Sequence, residues 1–299
     1  MKIQLYQVDA FTRNIFSGNP AGVVTNADDL DERTMQKIAR EMNLSETAFI
    51  INEKTYAYDI EVRFFTPSSE VPICGHATIS AHYVYAKEHG LREGTIRQKT
   101  KAGILPVEIL QDENDLKIAM TQAQVIFGDL IEDENRQKLI EGLVIKDTDL
   151  CGDLPIQIVS TGHSKVMVPI KSKQTLDSLR IREGILSDLS AEIDCNGYYV
   201  FTFDSREKKV LTSGRMFAPA IGISEDPVTG NANGPLGAYL AKYDKIKIIE
   251  DRCRFTIKQG EAIGRKGYMD VHVFCKNNEP DLVKIIGNAK IVFKTTIDL

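Results

Sequence analysis

Arg63-Phe64-Phe65-Thr66-Pro67, followed after two serines by Glu70-Val71-Pro72-Ile73-Cys74-Gly75-His76-Ala77, returns in the second half of the chain. There it reads Arg215-Met216-Phe217-Ala218-Pro219 and, after a slightly longer gap, Glu225-Asp226-Pro227-Val228-Thr229-Gly230-Asn231-Ala232. Both copies are R-x-F-x-P and then E-x-P-[IV]-x-G-x-A. A weaker pair precedes them, Gly18-Asn19-Pro20-Ala21-Gly22-Val23-Val24 and Gly162-His163-Ser164-Lys165-Val166-Met167-Val168. The copies keep their order and lie about half the chain apart, which implies a duplicated domain. Two copies mean paired domains, since a solenoid needs at least about three units. Ligand pockets favour domain interfaces, so the chemistry is expected in a cleft between the halves.

The rest of the sequence limits what that chemistry can be. A length of 299 residues suits about two domains, each able to bury its own core. Hydrophobic residues at 42% and charged residues at 26% are ordinary for a globular protein. A net charge of −5 argues against a nucleic-acid partner, which calls for a basic surface. No apolar run approaches the ~18 residues of a membrane span, and the start lacks the pattern of a signal peptide, so no membrane partner is expected. The five cysteines, Cys74, Cys151, Cys195, Cys253 and Cys275, are odd in number and widely spaced. A disulfide framework is not expected, and a cytoplasmic location fits. The five histidines form no H-x-x-x-H or H-E-x-x-H pair, so no metal is expected.

Along the chain, strands are expected at 3–11, 21–25, 48–51 and 57–65. Asp31 is placed to cap a helix over 32–42, with Asn43 at its end. Residues 76–88 are rich in alanine and branched apolar residues and lack Gly and Pro, which predicts a helix buried inside its domain. The N-terminal domain is drawn as 1–120 and the C-terminal one as 121–285. In the latter, helices are expected near 132–143, 175–180 and 232–242, and strands near 156–160, 165–170, 198–203, 254–257 and 269–275. The final strand-like run, 286–299, is expected to return to the first domain.

In each half a strand ends at a proline, a Glu-x-Pro turn follows, and a glycine opens a helix. The first turn of a helix has N–H groups without intrahelical partners and a partial positive charge. A glycine there lets a ligand approach the backbone. Gly75 and Gly230 are therefore candidate carboxylate-binding positions. Glycines that merely serve tight turns are the simpler explanation of one copy, but two matching copies favour the site. His76 and Asn231 hold equivalent places after these glycines, and both donate and accept hydrogen bonds. Asp226, on the second turn, either caps that turn or binds a substrate amine or hydroxyl. Glu46 lies between an amphipathic helix and an apolar strand, where a carboxyl group can serve as a general acid/base rather than a solvated charge. Gly162-His163-Ser164-Lys165-Val166 is not a nucleophile elbow, because the final glycine is absent and a strand follows. No dinucleotide or P-loop motif is present.

At these residues the chain resembles the PhzF family of phenazine-biosynthesis-like isomerases, and within it the YddE-like bacterial branch. The resemblance rests on Asp9-Ala10-Phe11-Thr12 with Gly18 to Ala21, on Asn43 to Phe49, on Arg63 to Pro67 with Cys74 to Thr78, and on Glu225 to Gly230. The branch adds Gly162 to Lys165 and Gly230 to Pro235. It implies an α+β, diaminopimelate-epimerase-like fold: two pseudo-symmetric domains, each a curved, mostly antiparallel sheet around a central helix. It also implies cofactor-free proton transfer with Glu46 as general acid/base, substrate contacts at Gly75, His76 and Asp226, and a homodimer. Asn231 stands where the phenazine enzyme has serine. A carboxamide and a hydroxyl bond differently, so this departure counts against the phenazine substrate.

The expected activity is thus a cofactor-independent isomerisation of a small carboxylic acid, an amino or hydroxy acid, with Gly230 and Asn231 completing the substrate contacts. A two-base racemase or epimerase using Cys74 is the alternative within the same fold. A binding protein without catalysis is the alternative outside it.

Overall fold

The computed structural model describes residues 1–53 and 55–299. The chain forms two compact units: Met1–Thr121 with Ile286–Leu299, and Gln122–Ile285.

The first unit is a closed barrel of eight strands. In order around it run Lys2–Ala10, Asn19–Val24, Thr47–Ile51, Ile60–Phe65, Gly94–Thr100, Gly103–Asp112, Asp115–Thr121 and the C-terminal part of Glu279–Asp298. The last strand closes the barrel by pairing antiparallel with the first, Lys2 opposite Asp298 and Ala10 opposite Ala289. Two pairings, Asn19–Val24 with Thr47–Ile51 and Ile60–Phe65 with Gly94–Thr100, are parallel. Helix Gly75–His89 packs against strands from around the barrel and is buried along nearly its whole length, so it fills the interior. Its residues explain this. Ala77, Ile79, Ala81, Val84 and Ala86 spread apolar surface around the helix, and the polar Thr78 and His82 among them bond to the helix's own carbonyls, so the whole segment can be enclosed. Gly90 ends it in the left-handed region at φ 66°, its N–H bonded to the Ala86 carbonyl.

Helix Glu32–Met42 lies on the barrel's outside, with Met35, Ile38 and Ala39 packed on Ile3, Leu5, Val24, Phe49 and Phe65. Asp31 caps it by accepting a 2.8 Å bond from the Thr34 N–H, and Asn43 ends it at φ 50°. Such a cap is worth about 1 kcal/mol.

In the second unit, strands Ile126–Leu130, Gln157–Ser160, Ser164–Pro169, Tyr198–Thr202, Thr212–Ala218, Arg252–Gln259 and Gly267–Lys276 pair each with the next. The third with the fourth and the fifth with the sixth are parallel. Helix Gly230–Lys242 is buried against Gln157–Ser160, Ser164–Pro169 and Gly267–Lys276. Helices Asp133–Leu143, Lys173–Ser178 and Glu183–Glu192 cover the other face through Leu139, Leu143, Leu176, Leu186 and Leu189, packed on Tyr198, Val200 and Phe217.

The repeated motif has the same structure in each unit. Arg63 forks onto Glu70 through Nε (2.8 Å) and Nη2 (2.7 Å), and Arg215 forks onto Glu225 at 3.0 and 2.7 Å. Each guanidinium also lies over the phenylalanine two residues on, 5.2 Å from the Phe65 ring centre and 5.0 Å from that of Phe217. R-x-F and the later Glu thus tie the short strand leading to each central helix onto the sheet.

The fold class is the expected one. The elements differ in detail. The central helices begin at Gly75 and Gly230, because Cys74 and Thr229 are their N-caps. The last strand runs over Glu279–Asp298, longer than anticipated. Strand Ile126–Leu130 and helix Glu183–Glu192 were not anticipated. The first is largely exposed, and the second carries Gly184 and two serines, poor helix formers that hide its periodicity. Among the described residues no helix is long and apolar enough to cross a membrane.

Candidate active site

In the first unit, Glu46, Cys74, Gly75 and His76 come together. The His76 ring is nearly buried, and its two nitrogens face different partners. Nε2 is 3.3 Å from Glu46 Oε2 and 3.2 Å from Ser45 Oγ. Nδ1 is 3.4 Å from Cys74 Sγ. A proton on Nε2 supplies a donor toward Glu46 and leaves Nδ1 to accept from the thiol. The Glu46 carboxylate retains 19% exposure, enough for a small molecule to reach it.

The backbone around Glu46 is fixed by the glycine motif of the second strand. The Gly22 N–H donates to the Glu46 carbonyl oxygen at 3.0 Å, and Gly22 stands opposite Thr47 in the parallel pair. A Cβ on Gly22 would lie 2.6 Å from Thr47 Oγ1, so only glycine permits this approach. Asp9, fully buried, accepts the Phe16 N–H at 2.7 Å. It thereby shapes the loop in which Phe11 and Phe16 adopt left-handed φ values. The helix at Gly75 begins with Cys74, which makes no side-chain cap bond. First-turn N–H groups are therefore not occupied by a side-chain cap.

Glu46, Cys74 and His76 each offer a donor atom within 4.8 Å of the others, a set whose chemistry suits zinc. The thiol and the carboxylate, however, sit beside opposite ring nitrogens. An ion held through one nitrogen would have to draw one of them around the ring. The arrangement fits a hydrogen-bonded relay better than a metal centre.

In the second unit, Asp226, Thr229 and Gly230 form the matching turn. Thr229 Oγ1 donates to Asp226 Oδ2. Gln259 pins this turn: its Nε2 donates to the Asp226 carbonyl (2.9 Å) and to Thr229 Oγ1 (3.1 Å), and its Oε1 accepts from Thr229 N (3.2 Å) and Asn233 Nδ2 (2.8 Å). Asn233 in turn accepts the Tyr199 hydroxyl at 2.6 Å, and burial pushes that phenol's pKa up. Gln122 Nε2 donates to the Gly230 carbonyl at 3.0 Å, and its Oε1 accepts from Thr161 Oγ1 at 2.5 Å. Thr229 makes no side-chain cap bond to the helix. Asn231 is partly exposed at the helix start.

Gln122, Gln259, Asn233 and Tyr199 were not singled out by the sequence. Tyr199 and Gln259 reach the turn from separate strands, Gln122 from the segment after strand Asp115–Thr121 and Asn233 from the helix itself, and no local pattern marks them. The glycine run Gly230, Gly234, Gly237 was the available signal. A Cβ at Gly234 would overlap Gln122, and one at Gly237 would lie 2.7 Å from Val271 Cγ1.

A closed barrel around a buried helix, with a Glu–His–Cys cluster where that helix starts, places the chain in the epimerase-like fold class of PhzF proteins. A solved phenazine biosynthesis protein of the PhzF family from Bacillus anthracis is 32% identical, with a TM-score of 0.90 and 100% of each chain covered. The chain belongs to the family described as phenazine biosynthesis-like protein, PhzC-PhzF, whose model matches residues 8–295. An uncharacterized isomerase of Clostridium acetobutylicum is 55% identical over 298 residues, covering 100% of this chain and 99% of that protein. The trans-2,3-dihydro-3-hydroxyanthranilate isomerase of Pseudomonas chlororaphis is 32% identical over 301 residues, covering 98% of each. The protein is an isomerase of this family.

Proposed function

We propose that the protein moves a proton between two carbons of a small amino or hydroxy carboxylic acid, without a cofactor, and that Glu46 carries that proton. The observation behind this reading is the Glu46 carboxylate 3.3 Å from His76 Nε2, beside a helix start that no side chain caps. Glu46 removes a proton from one carbon, and His76 holds the carboxyl group in place while it is protonated. Negative charge developing on the substrate is met by the first-turn N–H groups, as in an oxyanion hole. Glu46 then returns the proton to a second carbon, so substrate and product differ only in where that hydrogen sits. By the sequence repeat, the turn at Asp226, Gly230 and Asn231 is also suited to substrate contacts within its own unit, with Asp226 fitted to an amine or hydroxyl.

The substrate named for the Pseudomonas chlororaphis relative carries amino, hydroxyl and carboxyl groups. It is therefore the first compound to assay here, beside simpler amino and hydroxy acids. Turnover in D2O is read by mass spectrometry as deuterium entering carbon. Glu46→Gln keeps the shape and hydrogen bonding but cannot relay a proton. Its exchange rate is expected to fall by a factor on the order of 10² to 10⁴ with ligand affinity little changed. Wild-type exchange by Glu46→Gln would sink the proposal.

The Cys74 thiol, 3.4 Å from His76 Nδ1, gives the two-base alternative a specific observation. Cys74→Ala is expected to keep turnover within a few-fold. Loss of exchange with binding intact would favour the two-base reading.

A further inference from the structure

Lys165 is 7% exposed, in the hairpin strand Ser164–Pro169. Its stem lies where residue 197 has no side chain: a Cβ on Gly197 would sit 2.4 Å from Lys165 Cδ and 2.7 Å from Cε. At the end of that cradle, Nζ donates one described hydrogen bond, to the Ser164 carbonyl at 2.9 Å. Among the described residues no carboxylate oxygen lies within 4 Å of it, whereas the chain's other buried lysines, Lys173 and Lys258, each hold acidic partners. Burying an ammonium group without a partner costs stability, and such a group is retained where a ligand completes it.

The surroundings indicate where that ligand binds. The hairpin carrying Lys165 is tied to the start of the second central helix by Thr161 through Gln122 to the Gly230 carbonyl. Burial lowers the Lys165 pKa, and the charge of Asp226 opposes that shift, so Asp226 on the Gly230 turn is close enough to be felt. A cation and a carboxylate thus stand at one end of this unit, beside first-turn N–H groups that no side chain caps.

We propose that Lys165 is the anion-binding side chain of the substrate site in the second unit, selecting substrates that present a carboxylate there over their neutral analogues. This deepens the reading above and rests on it for the word substrate. Lys165 contributes to binding, and the proton transfer does not pass through it.

The test compares anthranilate with anthranilamide, which replaces the carboxylate by a neutral group of nearly the same shape. Calorimetry on the wild type is expected to show anthranilate binding about tenfold or more tightly, the usual worth of a charged hydrogen bond. Lys165→Met should abolish that preference while leaving anthranilamide binding unchanged, and Lys165→Arg should keep part of it. Because the ammonium has no protein carboxylate to lose, Lys165→Met without ligand should melt at or above the wild-type temperature. A preference that persists in Lys165→Met overturns the proposal. So does a wild type that binds neither compound, or both equally, up to tens of millimolar. A Lys165→Met protein that melts well below wild type would mark a packing role instead, and Lys165→Gln then checks whether binding preference and stability separate. Neither readout needs turnover, so failure of the Glu46 reading would be seen separately in the exchange assay.

Discussion

Gly22→Ala tests how the second strand holds Glu46. Gly22 has an ordinary strand backbone, so alanine meets no conformational barrier there. The barrier is space: the new Cβ would be 2.6 Å from Thr47 Oγ1, 2.9 Å from Cγ2 and 3.2 Å from Cβ. Thr47 is fully buried between paired strands and cannot swing into solvent. Overpacking of this kind costs roughly 1–3 kcal/mol. Against it stands about 0.4–1 kcal/mol from the reduced freedom of the unfolded chain, leaving a net loss of about 1–2 kcal/mol. Thr47→Ala removes two of the three close atoms. Its hydroxyl has no hydrogen-bond partner among the described residues, so its own cost is about 1 kcal/mol of lost apolar burial. The double variant should therefore be more stable than the sum of the singles by about 1–2 kcal/mol, measured by urea denaturation. Because Gly22 N–H also holds the Glu46 carbonyl, Gly22→Ala should lower deuterium exchange and Gly22→Ala/Thr47→Ala should recover part of it. Strict additivity, or a Gly22→Ala protein as stable as wild type, would refute the reasoning.

Two further predictions concern buried charge. His82, wholly buried in the first central helix, has its pKa lowered from 6.5 to about 4 by burial, against a 3.0 Å contact of Nδ1 with the Thr78 carbonyl. The unfolded imidazole takes a proton near pH 6.5 and the folded one does not, so this stability is full above that pH. It is lost as pH falls toward 4, by about 3 kcal/mol, and urea midpoints of His82→Leu should be correspondingly flatter over that window. Arg215→Met should cost roughly 3–5 kcal/mol by leaving Glu225, its side chain only 10% exposed, without its cation. Arg63→Met should cost less, because Lys101 Nζ remains 2.5 Å from Glu70, and equal chemical-denaturation losses would contradict this account.

The features legible in the sequence were those written in local pattern. Residues 76–88 read as a buried helix from their apolar density and 232–242 as its counterpart from the repeat, and both are buried along nearly their whole length. Asp31 and Asn43 marked their helix ends because capping is decided within four residues. The R-x-F…E repeat was visible as letters, but its meaning as a forked ion pair under a phenylalanine ring needed the strand pairing of Phe65 with Glu70. Glu46 and His76 were named from separate motifs, and nothing in their spacing says that they lie 3.3 Å apart. Gln122 and Gln259 were out of reach for the same reason. Each is an ordinary polar residue until distant strands bring it to the Gly230 turn.

The pairing of the first strand with the last has a consequence for how the protein is made. Lys2–Ala10 pairs on one edge with the nearby Asn19–Val24, but its other edge finds its partner only in residues 289–298, so on the ribosome the N-terminal strand waits for almost the entire chain before its barrel can close. The unit formed by Gln122–Ile285 is continuous in sequence and has all its residues earlier. The order of synthesis is thus the reverse of the order of completion: the half that emerges first finishes last. Loss of the final dozen or so residues, by a premature stop or a protease, would strike the barrel that holds Glu46 and His76 at the other end of the sequence.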